Sequence, residues 1–203
     1  MLRQLLLVGA LLGISCAPAQ QVPYFSGSLE FESEYQTAAG ETLYYAVKPK
    51  SWPYVQGRNY KLYDKNKKLN ELYLGDKNEL YTFPQGQSKL LADTARRRPA
   101  GAALKCLPTT ATILGYRCHV LQLTQDRVST LVFYSPELRI DLAGLSKCPS
   151  WGWYALLQAT DGTLPLRTIL VDAEHDITAT REAIAVRPML LIPTDFTTVA
   201  PAR

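Results

Sequence analysis

The sequence predicts a mainly β protein: a single strongly curved antiparallel sheet, a half-barrel or open barrel, with one or two short helices. Three observations carry this expectation. Apolar residues recur at period two rather than 3.6 along most of the chain. The alternating runs are short and are punctuated by Gly, Pro, Asn and Asp. Twelve tyrosines and three tryptophans supply side chains that are broad and apolar with a polar tip, suited to one face of a curved sheet. A sheet of many strands must also manage its edges, and closing or curling it is the usual solution.

In the first strand, Leu29, Phe31, Ser33 and Tyr35 alternate with Glu30, Glu32 and Glu34, giving one acidic face and one half-buried face. Residues 41–48 (ETLYYAVK) follow the Ala39-Gly40 turn signal and complete a hairpin. Ser51-Trp52-Pro53 reads as an interruption, and residues 58–63 (RNYKLY) resume as a strand. Residues 70–74 and 79–83 flank Gly75-Asp76-Lys77-Asn78, a compact turn. Residues 89–108 read mainly as a loop, with a short helix conceivable at 94–98. Residues 109–114 (TTATIL) and 116–123 (YRCHVLQL) are strands broken by Gly115, and 128–134 (VSTLVFY) is a buried strand ended by Ser135-Pro136. Residues 151–159 (WGWYALLQA) fit a short helix or a strand equally. Residues 164–171 and 176–186 complete the sheet, the last with Ile177, Ala179, Ala183 and Ala185 on one face, although Ala179, Ala183, Ile184 and Val186 would also serve a helix.

The start of the chain is of another kind. Arg3 precedes an apolar run at residues 5–14 (LLLVGALLGI), which is far shorter than the about 20 residues that span a bilayer. With the small residues Ala17 and Ala19 behind it, this pattern is a secretion signal over residues 1–19. Residues 20–203 then form a single β-rich domain with an irregular C-terminal tail. A competing reading places lipidation at Cys16, after Gly13-Ile14-Ser15. Either way the expected location is outside the cytoplasm, periplasmic or extracellular, with a membrane anchor only through Cys16.

Cleavage leaves Cys106, Cys118 and Cys148. In an oxidising compartment one disulfide and one leftover thiol are expected. Cys106 with Cys118 is one pairing and Cys118 with Cys148 is the rival. No Cys-x-x-Cys occurs, and the two histidines, His119 and His175, stand far apart, so no metal site is expected. The formal charge of +4 is spread along the chain. Its tightest run, Arg96-Arg97-Arg98, reads as a solvated loop, and no interleaving of bases with aromatics suggests a nucleic-acid groove.

Ile113-Leu114-Gly115-Tyr116-Arg117-Cys118 resembles the I-x-G-Y-x-C strand entry of secreted bacterial proteins of the GLPGLI type and their uncharacterised relatives. Val132-Phe133-Tyr134-Ser135 follows in order, and Gly162-Thr163-Leu164-Pro165-Leu166 is similar to their G-L-P-L element, with Leu166 in place of a second glycine. Ile192-Pro193-Thr194-Asp195-Phe196 is in character with the end of those proteins. The resemblance spans roughly Gly27 to Phe196. It implies a curved antiparallel sheet similar to the lipoprotein-carrier half-barrels. It implies no established activity, so no functional residue is carried over.

No nucleophile elbow, P-loop, zinc-protease helix or dinucleotide turn is present, and residues 172–176 (DAEHD) read as a polar turn. No catalytic residue, cofactor or transmembrane span after the signal is expected. Two functions remain open. One is a non-enzymatic exported envelope protein that binds a lipid or other apolar ligand on the concave face. The other is a structural or interaction protein with a solid core. An open apolar cavity of several hundred Å³ separates them.

Overall fold

The computed structural model describes residues 24–43, 49–91, 103–145 and 153–197. The expected secretion signal, Cys16, the arginine run at 96–98, the candidate helix at 94–98 and Cys148 lie outside the described residues. Eleven strands form one antiparallel sheet: β1 (Gly27–Thr37), β2 (Lys50–Gln56), β3 (Asn59–Tyr63), β4 (Leu69–Leu74), β5 (Glu79–Thr82), β6 (Lys89–Leu91), β7 (Ala103–Ile113), β8 (Tyr116–Gln125), β9 (Val128–Arg139), β10 (Thr163–Asp172) and β11 (Ile177–Pro188). Their spatial order is β6-β5-β4-β3-β2-β1-β11-β10-β9-β8-β7. The strand order therefore starts in the middle of the sheet, runs to one edge through β6, and returns from the opposite edge at β7 so that β11 closes against β1. The sheet is open and curved, as the alternation predicts. One α-helix, α1 (Trp153–Ala159), and three single 3₁₀ turns accompany it among the described residues.

The predicted alternation of β1 is observed: Leu29 and Phe31 are buried, while Glu30 and Glu32 both hold the Lys50 ammonium, at 3.1 and 3.2 Å. The β1–β11 register contains a bulge opposite Glu30 and Phe31, so Leu29 pairs with Val186 but Phe31 pairs with Ala183. An extra residue on one strand reverses the parity of everything beyond it. Ala183 accordingly stays in the core, whereas Val186 packs there in place of the expected Ala185.

Three predicted boundaries are corrected. Ser51-Trp52-Pro53 lies inside β2. The β1–β2 ladder pairs Ser28 with Tyr54 and Phe31 with Ser51 but skips Trp52 and Pro53, so the missing proline N–H forfeits no ladder bond there. β7 extends back to Ala103, where a loop was expected, because Pro108 falls at a register shift on an edge strand and such positions tolerate proline. β9 continues through Ser135-Pro136 to Arg139 by the same device, a shift in its pairing with β10. Residues 151–159 resolve to a helix, α1, over Trp153–Ala159. Of the expected strand at 41–48, Thr42 bridges Gln36, and 44–48 lie outside the described residues.

Gly162 ties the helix to the sheet. Its N–H donates to the Leu157 carbonyl at the end of α1 (2.6 Å), and its carbonyl accepts from the Ile140 N–H (2.8 Å). Its φ of +78° is left-handed, and a Cβ would stand 2.8 Å from the Ile140 carbonyl oxygen. Only glycine meets both conditions.

The larger core joins Leu29, Phe31, Tyr73, Leu138, Leu157 and Leu166. A second core lies on the opposite face of β2–β5, where Leu191 and Phe196 of the C-terminal segment pack with Leu72, Tyr54, Leu74 and Tyr81. This segment is pinned by the mutual bonds of Ser26 and Met189 (3.0 and 2.9 Å) and by Lys61, which donates to the Asp195 carbonyl (3.0 Å). The Lys61 ammonium lies 5.2 to 5.8 Å from the ring centres of Tyr54, Tyr63 and Phe196, within cation–π range. Burial of Lys61 beneath them lowers its pKa from the ordinary lysine value.

Leu166 is fully buried, and truncation leaves a cavity that its β-sheet neighbours cannot fill. Leu166→Ala is expected to lower unfolding free energy by about 2–5 kcal/mol, measured by urea denaturation; a loss below about 1 kcal/mol would contradict this packing.

Candidate functional site

A cavity of about 500 Å³ opens on the face of the sheet that carries the larger core. Its floor is supplied by β1, β2, β3, β4, β10 and β11, and Leu145 and Leu157 project into it from the 3₁₀ turn at Leu142–Gly144 and from α1. The volume falls inside the range of small-molecule sites, roughly 300–1,000 Å³.

Register sorts the lining into two ends. Gly27 of β1 stands opposite Val55, and Val55 opposite Tyr60. Further along, Phe31 stands opposite Ser51 and Leu62 opposite Glu71, while Ser33 pairs with Arg181 and Tyr35 with Ala179. Leu29, Val55, Ile140, Leu157 and Leu164 thus form an apolar end, and Tyr35, Ser51, Asn70, Glu71 and Arg181 gather at the other.

Arg181 is the unusual member. Its guanidinium carbon lies 4.0 Å from the ring centre of Phe31, and one N–H reaches the Ser51 hydroxyl at 3.4 Å. Desolvation pulls its pKa down to about 10, opposed by the nearby Tyr35 and Glu71. The group stays charged at neutral pH. Stacking on Phe31 returns about 2 kcal/mol of the cost of desolvating it. Glu71 in turn accepts from the Tyr60 hydroxyl (3.2 Å), and Tyr60 stacks on the buried Tyr73 with ring centres 5.6 Å apart. The cavity therefore holds opposite charges and hydroxyls at one end and hydrocarbon at the other. Sequence reasoning missed these polar residues; the signal was present, since Arg181 interrupts the odd-numbered apolar run Ile177, Ala179, Ala183.

The rim is tied to the structures above it. Arg58, in the turn between β2 and β3, donates from Nε to Asp141 at 2.8 Å. Asp141 also accepts from the Ala143 N–H at 2.9 Å, capping the 3₁₀ turn that carries Leu145 toward the cavity.

The sequence candidates fall elsewhere. Cys106 stands opposite Leu121 and Cys118 opposite Ala111. Cys106 is exposed, Cys118 is fully buried, and both are free. A disulfide needs Cα atoms within about 7 Å, so this register corrects the Cys106–Cys118 pairing. The rival partner, Cys148, lies outside the described residues. Burial raises the Cys118 thiol pKa. His119 is exposed, with its ring 5.8 Å from that of Tyr134. Residues 172–176 form the expected exposed turn, in which His175 Nδ1 lies 2.8 Å from Asp172. No cluster of three or more His, Cys, Asp or Glu able to hold a metal occurs among the described residues, and no helix among them is long and apolar enough to cross a membrane.

No family model matches the chain, and no curated protein matches it. Solved structures do. PNGF-II is similar over 84% of this chain at 16% identity with a TM-score of 0.52, and this chain spans 29% of the length of that protein. A LolA superfamily protein, NE2245 from Nitrosomonas europaea, is similar over 87% of this chain and 91% of its own, at 14% identity and TM-score 0.43. A DUF1329 family protein from Desulfovibrio piger is similar over 88% of this chain and 92% of its own, at 8% identity and TM-score 0.38. The likeness to PNGF-II is one of fold.

The Arg58 guanidinium and the Ala143 N–H hold the Asp141 pKa below the ordinary carboxylate value. A depressed carboxylate stabilises the fold above its unfolded pKa, near 3.9, and the contribution disappears as pH falls through the folded value. Asp141→Asn is expected to melt a few degrees below wild type at pH 7, with the difference closing as pH falls below the ordinary carboxylate range. A gap of constant size from pH 7 down to pH 2 would contradict this role.

Proposed function

We propose that the protein is an exported envelope protein of carrier type, non-enzymatic, whose cavity holds the hydrocarbon part of a lipid or related amphiphile. The observation that carries this reading is the cavity itself, about 500 Å³ with an apolar end built from Leu29, Val55, Ile140, Leu157 and Leu164. A solid core, the premise of the competing structural role, would fill this space. Apolar walls around a preformed space favour an apolar occupant, because burial removes hydrocarbon from water at about 25 cal/mol per Å².

Export rests on the secretion signal at residues 1–19, which places the working protein in the periplasm or outside the cell. Cleavage before about Gln20 releases it, whereas acylation of Cys16 would leave it anchored. Intact-mass measurement of the mature protein distinguishes the two: a chain starting near Gln20 supports the soluble form, and a diacyl adduct on Cys16 contradicts it.

Native mass spectrometry of the purified protein is expected to show a copurifying lipid that organic extraction removes. Leu62 lines the cavity and is only half-buried, so a larger side chain there intrudes on the ligand with little disturbance of the core. Leu62→Trp is expected to weaken lipid binding by at least about tenfold while the protein remains folded by circular dichroism. Unchanged binding, or no lipid on the wild type, would overturn the reading.

A further inference from the structure

The groups at the polar end of the cavity are already engaged within the protein: Arg181 stacks on Phe31 and reaches Ser51, and Glu71 accepts from the Tyr60 hydroxyl. What the cavity offers a ligand is therefore its hydrocarbon space, and that space has a definite size. A methylene group takes up about as much room as a water molecule in the liquid, roughly 30 Å³. A cavity of about 500 Å³ thus has room for roughly 17 of them. Its walls resist expansion. Leu29, Val55, Ile140, Leu157 and Leu164 at the apolar end are each at most 7% exposed. Above them, α1 is held through Gly162, which bonds Leu157 at the helix end and Ile140 just past β9 (2.6 and 2.8 Å). The Leu142–Gly144 turn is held by Asp141, 2.8 Å from Arg58. Behind the floor, Leu72, Leu191 and Phe196 form a packed layer that opposes flattening of the sheet, since close-packed interiors yield little.

We propose that the cavity takes one long hydrocarbon chain, as in a lysophospholipid or a monoacylglycerol such as monolaurin, and excludes the paired long chains of a bilayer-forming lipid. This rests on the carrier reading of the same cavity and adds its capacity. Each methylene that enters leaves water and raises affinity about fourfold. Once the space is full, further methylenes stay in water and add nothing. The paired chains of a bilayer-forming lipid, each reaching half of a hydrocarbon core about 30 Å thick, carry more hydrocarbon than fits. The excess either remains exposed or forces the walls apart, and overfilling a packed site is unfavourable.

The test measures binding of two phosphocholine series to the delipidated mature protein by native mass spectrometry, each lipid below its micelle-forming concentration. One series is lysophosphatidylcholines with a single chain of ten to twenty carbons. The other is diacyl phosphatidylcholines with six to ten carbons per chain. Single-chain affinity is expected to climb about fourfold per methylene and to level at about 16–18 carbons, with one molecule bound per protein. The diacyl series is expected to level at the same total, about eight or nine carbons per chain. Leu62→Ala trims the wall at a half-buried residue and should move the level point out by about three carbons. Three results would each overturn the capacity inference and leave the carrier reading standing: a diacyl series still climbing at ten carbons per chain, a single-chain series still climbing at twenty, or an unmoved level point in Leu62→Ala. Absence of binding in both series would overturn both. The two wild-type series decide the matter without the variant, so the test does not depend on its folding.

Discussion

The pairing of β1 with β11 is the constraint on which the rest of the molecule depends. It joins the strand that opens the described fold to the last strand of the sheet, from Gly27 opposite Pro188 to Thr37 opposite Ile177. Without it the two meanders, β1–β6 and β7–β11, would each expose an inner edge. Closing this contact spans nearly the whole chain, so its loop entropy must be met before its pairs reward it. Its bulge at Glu30 and Phe31 then decides which side chains of β11 face the inside of the sheet. Arg181, which lines the cavity, and Ala183, in the core, lie on one side of it, and Val186, packed against the core, lies on the other.

The two faces of the β2–β5 half are treated differently. The C-terminal segment is laid across one, burying Leu72 against Leu191 and Phe196 and gathering three aromatic rings around Lys61. Among the described residues the other carries α1 and the Leu142–Gly144 turn, which reach over the apolar end of the cavity. A backing layer that is packed and pinned lets the opposite face keep an unfilled space, since a sheet with neither face covered would have little to hold its curvature. Gly162 is the joint in this arrangement: it carries the chain from α1 into β10 while touching the Ile140 backbone.

Much of this was legible in the sequence because period-two alternation is a local signal. β1, β4, β5, β8 and the Gly115 turn follow from it directly, and the resemblance to GLPGLI-type proteins pointed to the same open curved sheet. Prolines misled at Pro53, Pro108 and Pro136, each of which sits inside a strand where the ladder is interrupted or shifted. Such interruptions are set by the partner strand and leave no local trace. The bulge that moved Ala185 out of the core and Val186 into it is invisible for the same reason. The same non-local registry hid the cavity: Arg181 reads as an isolated surface charge until Phe31, Ser51 and Glu71 are brought around it from three other strands. Cys106 with Cys118 was one of two pairings the sequence left open, and only the register shows that they face Leu121 and Ala111 and not each other.

The central claim, that the space between Leu29, Val55, Leu157 and Leu164 receives hydrocarbon, is tested most directly by methyl NMR during titration with monolaurin. The account predicts that the methyl resonances of these four residues shift together and saturate, while those of the exposed Leu190 and Ile192 stay in place. Shifts confined to Leu190 and Ile192, with the cavity methyls unmoved, would contradict it.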